Sequence, residues 1–171
     1  MKTSGNRLIS DFSGDKIFID ANIILYSLLS NIRFYNQCNL FLGKIKNAEI
    51  NGFISPLVLS EVFYKIVLFE ISKINNSNIN ETKLILKKNP ELIGNNRSSY
   101  LLIEELLEYK GLIILEIGEA ISRTSVVLSH KYQLLPNDAM HVATCQFYNI
   151  KNVATNDSDF ERVDFLNCWK P

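Results

Sequence analysis

Apolar positions along this chain follow two rhythms. Short unbroken runs rich in β-branched and aromatic residues have the length and composition of buried strands: "KIFID" at 16–20, "INGFIS" at 50–55, "LIILEI" at 112–117 and "KNVAT" at 151–155. Between them lie longer stretches whose apolar residues recur at helical spacing. These are "NIILYSLLS" at 22–30, "FYNQCNLFLGKIKNAE" at 34–49, "SPLVLSEVFYKIVLFEIS" at 55–72, "SSYLLIEELLEYKG" at 98–111, "GEAISRTSVVLSHKYQ" at 118–133 and "LLPNDAMHVATCQFYNI" at 134–150. In the second of these, Phe34, Cys38, Phe41 and Ile45 form one stripe. Ser55 and Pro56 read as an N-cap and a first helical residue, and Gly111 reads as a helix stop. Near the end, "NDSDFERV" turns through a short helical piece and "DFLNCW" reads as a last, edge strand.

Strands alternating with helices predict an α/β protein with a central parallel sheet covered on both faces. The Asn-rich stretch 72–98 breaks the rhythm. It is expected to hold a short helix between loops, as an insertion over the core of a single domain spanning 1–171.

Composition narrows the class. Apolar residues make up 47% and charged residues 21% of 171, as in globular chains. No apolar run approaches the ~18 residues of a membrane span, and the start, "MKTSGNRLISDFSGDK", lacks the apolar core of a signal peptide. The expectation is a cytoplasmic protein with no membrane association. Cys38, Cys145 and Cys168 are odd in number and far apart, so they read as reduced packing residues. The formal net charge is zero, which advertises no nucleic-acid binder, but neutralising four acids with bound metal would leave 18 basic against 14 acidic residues.

The placement of acids carries the chemistry. Asp20 ends the first strand and Asp157 lies just past another. Asp138 starts a helix, and Glu61 sits about a turn and a half into one. Sites in open α/β sheets form at the carboxyl ends of strands, so the four can meet at one edge. Clustered carboxylates repel one another unless a cation intervenes, and oxygen-only ligands favour Mg²⁺ or Mn²⁺. Each acid also has an ordinary reading: Asp20 as a helix cap, Glu61 as the partner of Lys65 one turn on, Asp138 as a first-turn acid, Asp157 or Asp159 as a turn residue.

The order "FIDAN", "SPLVLSEV", "LLPNDAMHVATC", "VATNDSDF" resembles the PIN-domain nucleases, over roughly residues 16–168. Many of these are toxins of VapBC-type toxin–antitoxin pairs. The resemblance implies a three-layer α/β/α fold and a metal-dependent ribonuclease using Mg²⁺ or Mn²⁺. By position, Asp20, Glu61, Asp138 and Asp157 match the catalytic, metal-binding acids, and Asn22, Thr155 and Asp159 match supporting residues. An RNA substrate, a small antitoxin and a homodimer are the implied partners. Two features depart from the pattern: Ala21 stands where members often carry Thr or Ser, and 72–98 lengthens the chain.

The remaining polar and aromatic residues read mainly as structural. His141, one helical turn after Asp138, reads as a structural or surface residue with contact to the site as the alternative, and His130 as a favourable residue near a helix end. Lys65, Arg33, Lys87 and Lys88 read as a solvated face with phosphate contact as the alternative, and Tyr26, Phe63, Tyr64 and Phe69 as core. A haloacid-dehalogenase site would need an acid where Asn22 stands. A receiver would need an Asp after "LIILEI", and nucleotide-binding folds a glycine-rich loop that seven glycines do not form. The alternative of another class is a catalytically inactive scaffold of the same fold, binding RNA or protein.

Overall fold

The structure, a computed structural model, describes residues 7–171; the signal-peptide reading of the first residues falls partly on 1–6, outside the described residues. The elements in chain order are β1 (Arg7–Leu8), a 3-10 turn (Ile9–Asp11), β2 (Lys16–Ile19), α1 (Ala21–Leu28), α2 (Tyr35–Lys46) and β3 (Asn51–Ile54). There follow α3 (Pro56–Asn75), α4 (Ile79–Lys88), α5 (Glu91–Asn95), α6 (Arg97–Leu107), β4 (Leu112–Ile114) and α7 (Glu119–Tyr132). The chain closes with α8 (Pro136–Phe147), β5 (Asn152–Ala154), a second 3-10 turn (Asp159–Arg162) and β6 (Asn167–Lys170).

The six strands form one sheet in the order β1-β6-β5-β2-β3-β4, every pair parallel. Parallel neighbours need crossovers, and these are right-handed in nearly all proteins. The steps β2→β3→β4 run one way across the sheet, so α1–α2 and α3–α6 share a face. The return from β4 to β5 passes back over the sheet, which puts α7–α8 on the other face. Side chains follow the pleat. Phe18 packs its ring against His141 of α8, with centroids 5.5 Å apart. Ile19 and Ile45 of α2 crowd the opposite side of Gly52. Ile17, Phe18 and Ile19 are all fully buried, each contributing on the order of 1.5–3 kcal/mol by leaving water. Burial on both faces is why "KIFI" is unbroken instead of alternating.

The helix starts follow the sequence signals. The Ser55 hydroxyl accepts from the Val58 N–H, with Pro56 opening α3. Cys38, Phe41 and Ile45 of the α2 stripe are buried, and Phe34 is half-buried. No disulfide joins the three cysteines; Cys38 and Cys145 are buried and Cys168 is half-buried.

Three expectations are corrected. The stretch 72–98 is mostly helical: α3 runs on to Asn75, and α4 starts on a complete capping box in which Asn78 accepts from the Glu81 N–H while the Glu81 carboxylate accepts from the Asn78 N–H. Of the Asn residues that read as loop, Asn76, Asn78, Asn89 and Asn96 stand at helix caps. Gly111 does not stop α6, which ends at Leu107. Gly111 is there because a Cβ would lie 2.6 Å from the carbonyl oxygens of both Ile45 and Ile50. Finally, β6 is an inner strand, since β1 covers its outer side. Two residues of strand are too short to leave a period in the sequence.

Candidate active site

β2 and β5 are neighbours from which the chain departs in opposite directions, so a crevice opens beyond their carboxyl ends. Asp20 follows β2 and Thr155 follows β5. Asp20 stands at the N-cap position of α1, yet its side chain makes no capping hydrogen bond. The Thr155 hydroxyl donates to Asp20 Oδ2 at 2.6 Å, and the Asn22 amide donates to the same oxygen. Asn22 also lies 3.3 Å from the Thr155 hydroxyl and accepts at 3.1 Å from the Asn156 N–H. One carboxylate oxygen is thereby held from two strand ends.

The turn after β5 is organised the same way. The Asp157 N–H donates to Thr155 Oγ1 at 3.0 Å, and the Asp159 N–H donates to Asp157 Oδ1 at 2.8 Å. Lys170, at the end of β6, donates to the Asp157 carbonyl at 3.0 Å and pairs with Glu161 at 2.8 Å. Arg162 pairs with Asp159 at 2.5 Å. Asp138 lies in the first turn of α8, where the helix dipole favours an acid. Glu61, on α3, pairs with Lys65 at 2.6 Å, so the ordinary helical ion pair is present.

Electrostatics joins these elements. Burial pushes the Asp138 carboxyl up to about 6, helped by the charges of Asp157, Asp20, Asp159 and Glu61. Burial likewise raises Asp20; the Thr155 hydrogen bond opposes this, and Glu61 and Asp157 add to it. The four acids and Asp159 thus share one field at one edge of the sheet. Among the described residues, no three His, Cys, Asp or Glu side chains are drawn closely enough together to hold a metal ion as they stand. The donor set, oxygen-only and destabilised by its own repulsion, fits a hard divalent cation.

His141 lies beside this pocket, which is the alternative its spacing from Asp138 left open. It is 1% exposed, and its Nδ1 has no hydrogen-bond partner. Burial lowers its pKa to about 4, against a smaller upward pull from Glu61. It is therefore a neutral ring at pH 7. Of the other residues weighed, Arg33 stacks on Phe34, while Lys87 and Lys88 lie exposed at the end of α4. Tyr26, Phe63 and Phe69 are half-buried, but Tyr64 is 50% exposed and is not core. Sequence reasoning missed Arg162, which pairs with Asp159 three residues earlier in the same 3-10 turn, and Lys170, which only folding brings to Glu161 and the Asp157 carbonyl.

A parallel α/β sheet with carboxylates gathered at its switch point is the architecture of this protein. The chain belongs to the PIN domain family, whose description matches residues 17–166. It is 34% identical over 153 residues to Ribonuclease VapC2 of Methanocaldococcus jannaschii, covering 89% of this chain and 91% of the relative. It is 27% identical over 158 residues to Ribonuclease VapC6 of the same organism, covering 92% and 99%. Two solved structures share the fold. VapBC2 from Rickettsia felis, bound to a DNA fragment from its promoter, has a TM-score of 0.53 at 17% identity, covering 91% of this chain and 98% of that one. A toxin–antitoxin complex from Klebsiella pneumoniae has a TM-score of 0.51 at 20% identity, covering 88% and 95%. Among the described residues no helix is long and apolar enough to cross a membrane.

Proposed function

We propose that this chain is a metal-dependent endoribonuclease and the toxin half of a VapBC-type pair, with Asp20, Glu61, Asp138 and Asp157 as the acids of its site. The observation that carries the reading is their convergence from four elements on one pocket, in a chain 34% identical to a ribonuclease over 153 residues. Asp20, Asp138 and Asp157 would hold Mg²⁺ or Mn²⁺, with Glu61 as a further ligand or as the group orienting the attacking water. A cation bound there supplies an activated water and charge neutralisation at the phosphodiester.

The chain's own residues prepare that chemistry. Thr155 and Asn22 hold Asp20 in one orientation, so it does not have to be ordered when ligands arrive. The Asp159 N–H does the same for Asp157. Asp138, whose pKa is about 6, gives up its proton readily near neutral pH once positive charge enters the pocket. His141 is neutral and acts as no general acid there. A small antitoxin covering the acidic pocket, and a homodimer, complete the proposed partners.

The test is cleavage of a panel of single-stranded and structured RNAs with Mg²⁺, Mn²⁺ or EDTA, alongside Asp20→Asn. Metal-dependent cleavage that falls by about 100-fold or more in Asp20→Asn is expected. Wild type and variant equally inert, with no Mn²⁺ stabilisation of the wild type, would overturn the reading in favour of a non-catalytic scaffold.

A further inference from the structure

We infer that the loop between α1 and α2 is a subsite for an unpaired nucleobase of the RNA strand, with Arg33 and Ile32 as the residues that touch the base. This rests on the reading of the chain as a ribonuclease.

A series of direct contacts joins that loop to Asp20. The Asn22 amide donates to Asp20 Oδ2, and Asn22 Oδ1 accepts from the Asn156 N–H at 3.1 Å. The Asn156 side-chain amide donates in turn to the Tyr26 hydroxyl at 3.1 Å. The Tyr26 ring packs on Phe34 with centroids 4.9 Å apart and planes 32° from parallel. The Arg33 guanidinium lies over the Phe34 ring, 4.9 Å from its centroid. Asp20 and Arg33 are therefore the two ends of one set of touching groups, and a strand cleaved at Asp20 brings a nearby nucleotide to the loop.

The loop is held in that shape before any ligand arrives. Asn31 Oδ1 accepts from the backbone N–H groups of Arg33 at 3.0 Å and Phe34 at 3.1 Å, and the Asn31 N–H donates to the Tyr26 carbonyl at 3.0 Å. Tyr26 and Phe34 are half-buried and packed against the core. A fixed platform loses little freedom on binding.

The fold makes no use of what the platform presents. Arg33 is exposed and, among the described residues, pairs with no carboxylate. By contrast, Arg162 and Lys170 near the turn after β5 are paired with Asp159 and Glu161. Ile32, beside Arg33, is fully exposed. An unpaired base has a flat face and acceptor edges. It stacks on a guanidinium plane as on an aromatic ring, and its edge accepts N–H bonds. Laying that face over Ile32 also removes apolar area from water. A cation for phosphate alone would need neither the aromatic support nor the exposed isoleucine.

The experiment measures binding of two fluorescent strands to full-length Asp138→Asn protein in Mg²⁺. That change attenuates cleavage and lies outside the contacts from Asp20 to Arg33. One strand is a single-stranded RNA of mixed sequence, and the other has the same length and backbone with every base removed. Arg33→Ala, Arg33→Lys and Ile32→Ser enter that background. Lys46→Gln is the control, since Lys46 pairs with Glu105 at the other end of α2. The parent should bind the base-bearing strand more tightly than the abasic one. Arg33→Ala should weaken the base-bearing strand by about 5-fold or more and the abasic strand clearly less. Arg33→Lys, which keeps the charge and loses the plane, should lower the preference for bases as Arg33→Ala does. Ile32→Ser should lower it too, and Lys46→Gln should leave it unchanged. Equal weakening of both strands by Arg33→Ala, or full rescue by Arg33→Lys, would make Arg33 a phosphate contact and overturn the subsite. A parent that does not distinguish the strands, or a preference untouched by Arg33→Ala or lowered as much by Lys46→Gln, overturns it while leaving the nuclease reading standing. A parent that binds neither strand also overturns it, and if the Asp138-bearing form cleaves no RNA the nuclease reading falls with it.

Discussion

The Thr155 hydroxyl donates to Asp20 Oδ2 at 2.6 Å, joining the ends of two neighbouring strands that are 135 residues apart in sequence. The bond opposes the burial that raises the Asp20 carboxyl. Thr155→Val keeps the volume and removes the donor. It should raise the Asp20 pKa further and weaken Mn²⁺ binding about 10- to 100-fold. Calorimetric titration with Mn²⁺ checks it, and unchanged affinity would mean the bond serves the fold alone.

Stability against pH should be the sum of opposing limbs. The folded pKa of Asp138 is raised to about 6, so its contribution is present below the ordinary value of 3.8 and is lost as pH rises through about 6. Asp20, also raised, runs the same way. His141 is lowered from 6.5 to about 4, so its contribution is present above 6.5 and is lost as pH falls toward 4. In EDTA, Asp138→Asn should therefore steepen the rise of stability between pH 4 and 6.5. His141→Phe should leave stability falling over the same range. Urea unfolding at half-unit pH intervals reads both slopes, and parallel profiles for wild type and Asp138→Asn would count against the Asp138 assignment.

Gly111→Ala should destabilise the protein by about 1–3 kcal/mol. The added Cβ would meet two backbone carbonyls at 2.6 Å, and backbone cannot step aside as a side-chain tip can. A lower urea midpoint with an unchanged m-value is the expected signature. An unshifted midpoint would show that the α2–β3 corner relaxes freely.

The cysteines should separate by reactivity. Burial pushes the Cys38 thiol up to about 12 and raises Cys145 as well. Both should resist iodoacetamide in the folded protein at pH 8 and react after unfolding. Mass spectrometry of the alkylated peptides measures this; rapid labelling of either in native protein would contradict its burial.

The strand and helix rhythm was legible because each element answers to its own neighbours along the chain. Two-faced burial makes "KIFI" continuous, and Ser55–Pro56 opens α3 through a local cap. The acids at strand ends and helix starts were legible for a related reason: in an α/β sheet, chain order itself sets which edge they occupy. Tertiary structure decided the rest. It made Gly111 a contact point between separate segments and placed β1 beside β6. It set Lys170 against the Asp157 carbonyl, and sealed His141 with one nitrogen unpartnered. Spacing along the chain carries periodicity and caps, whereas desolvation and charge depend on which distant groups arrive at the same place.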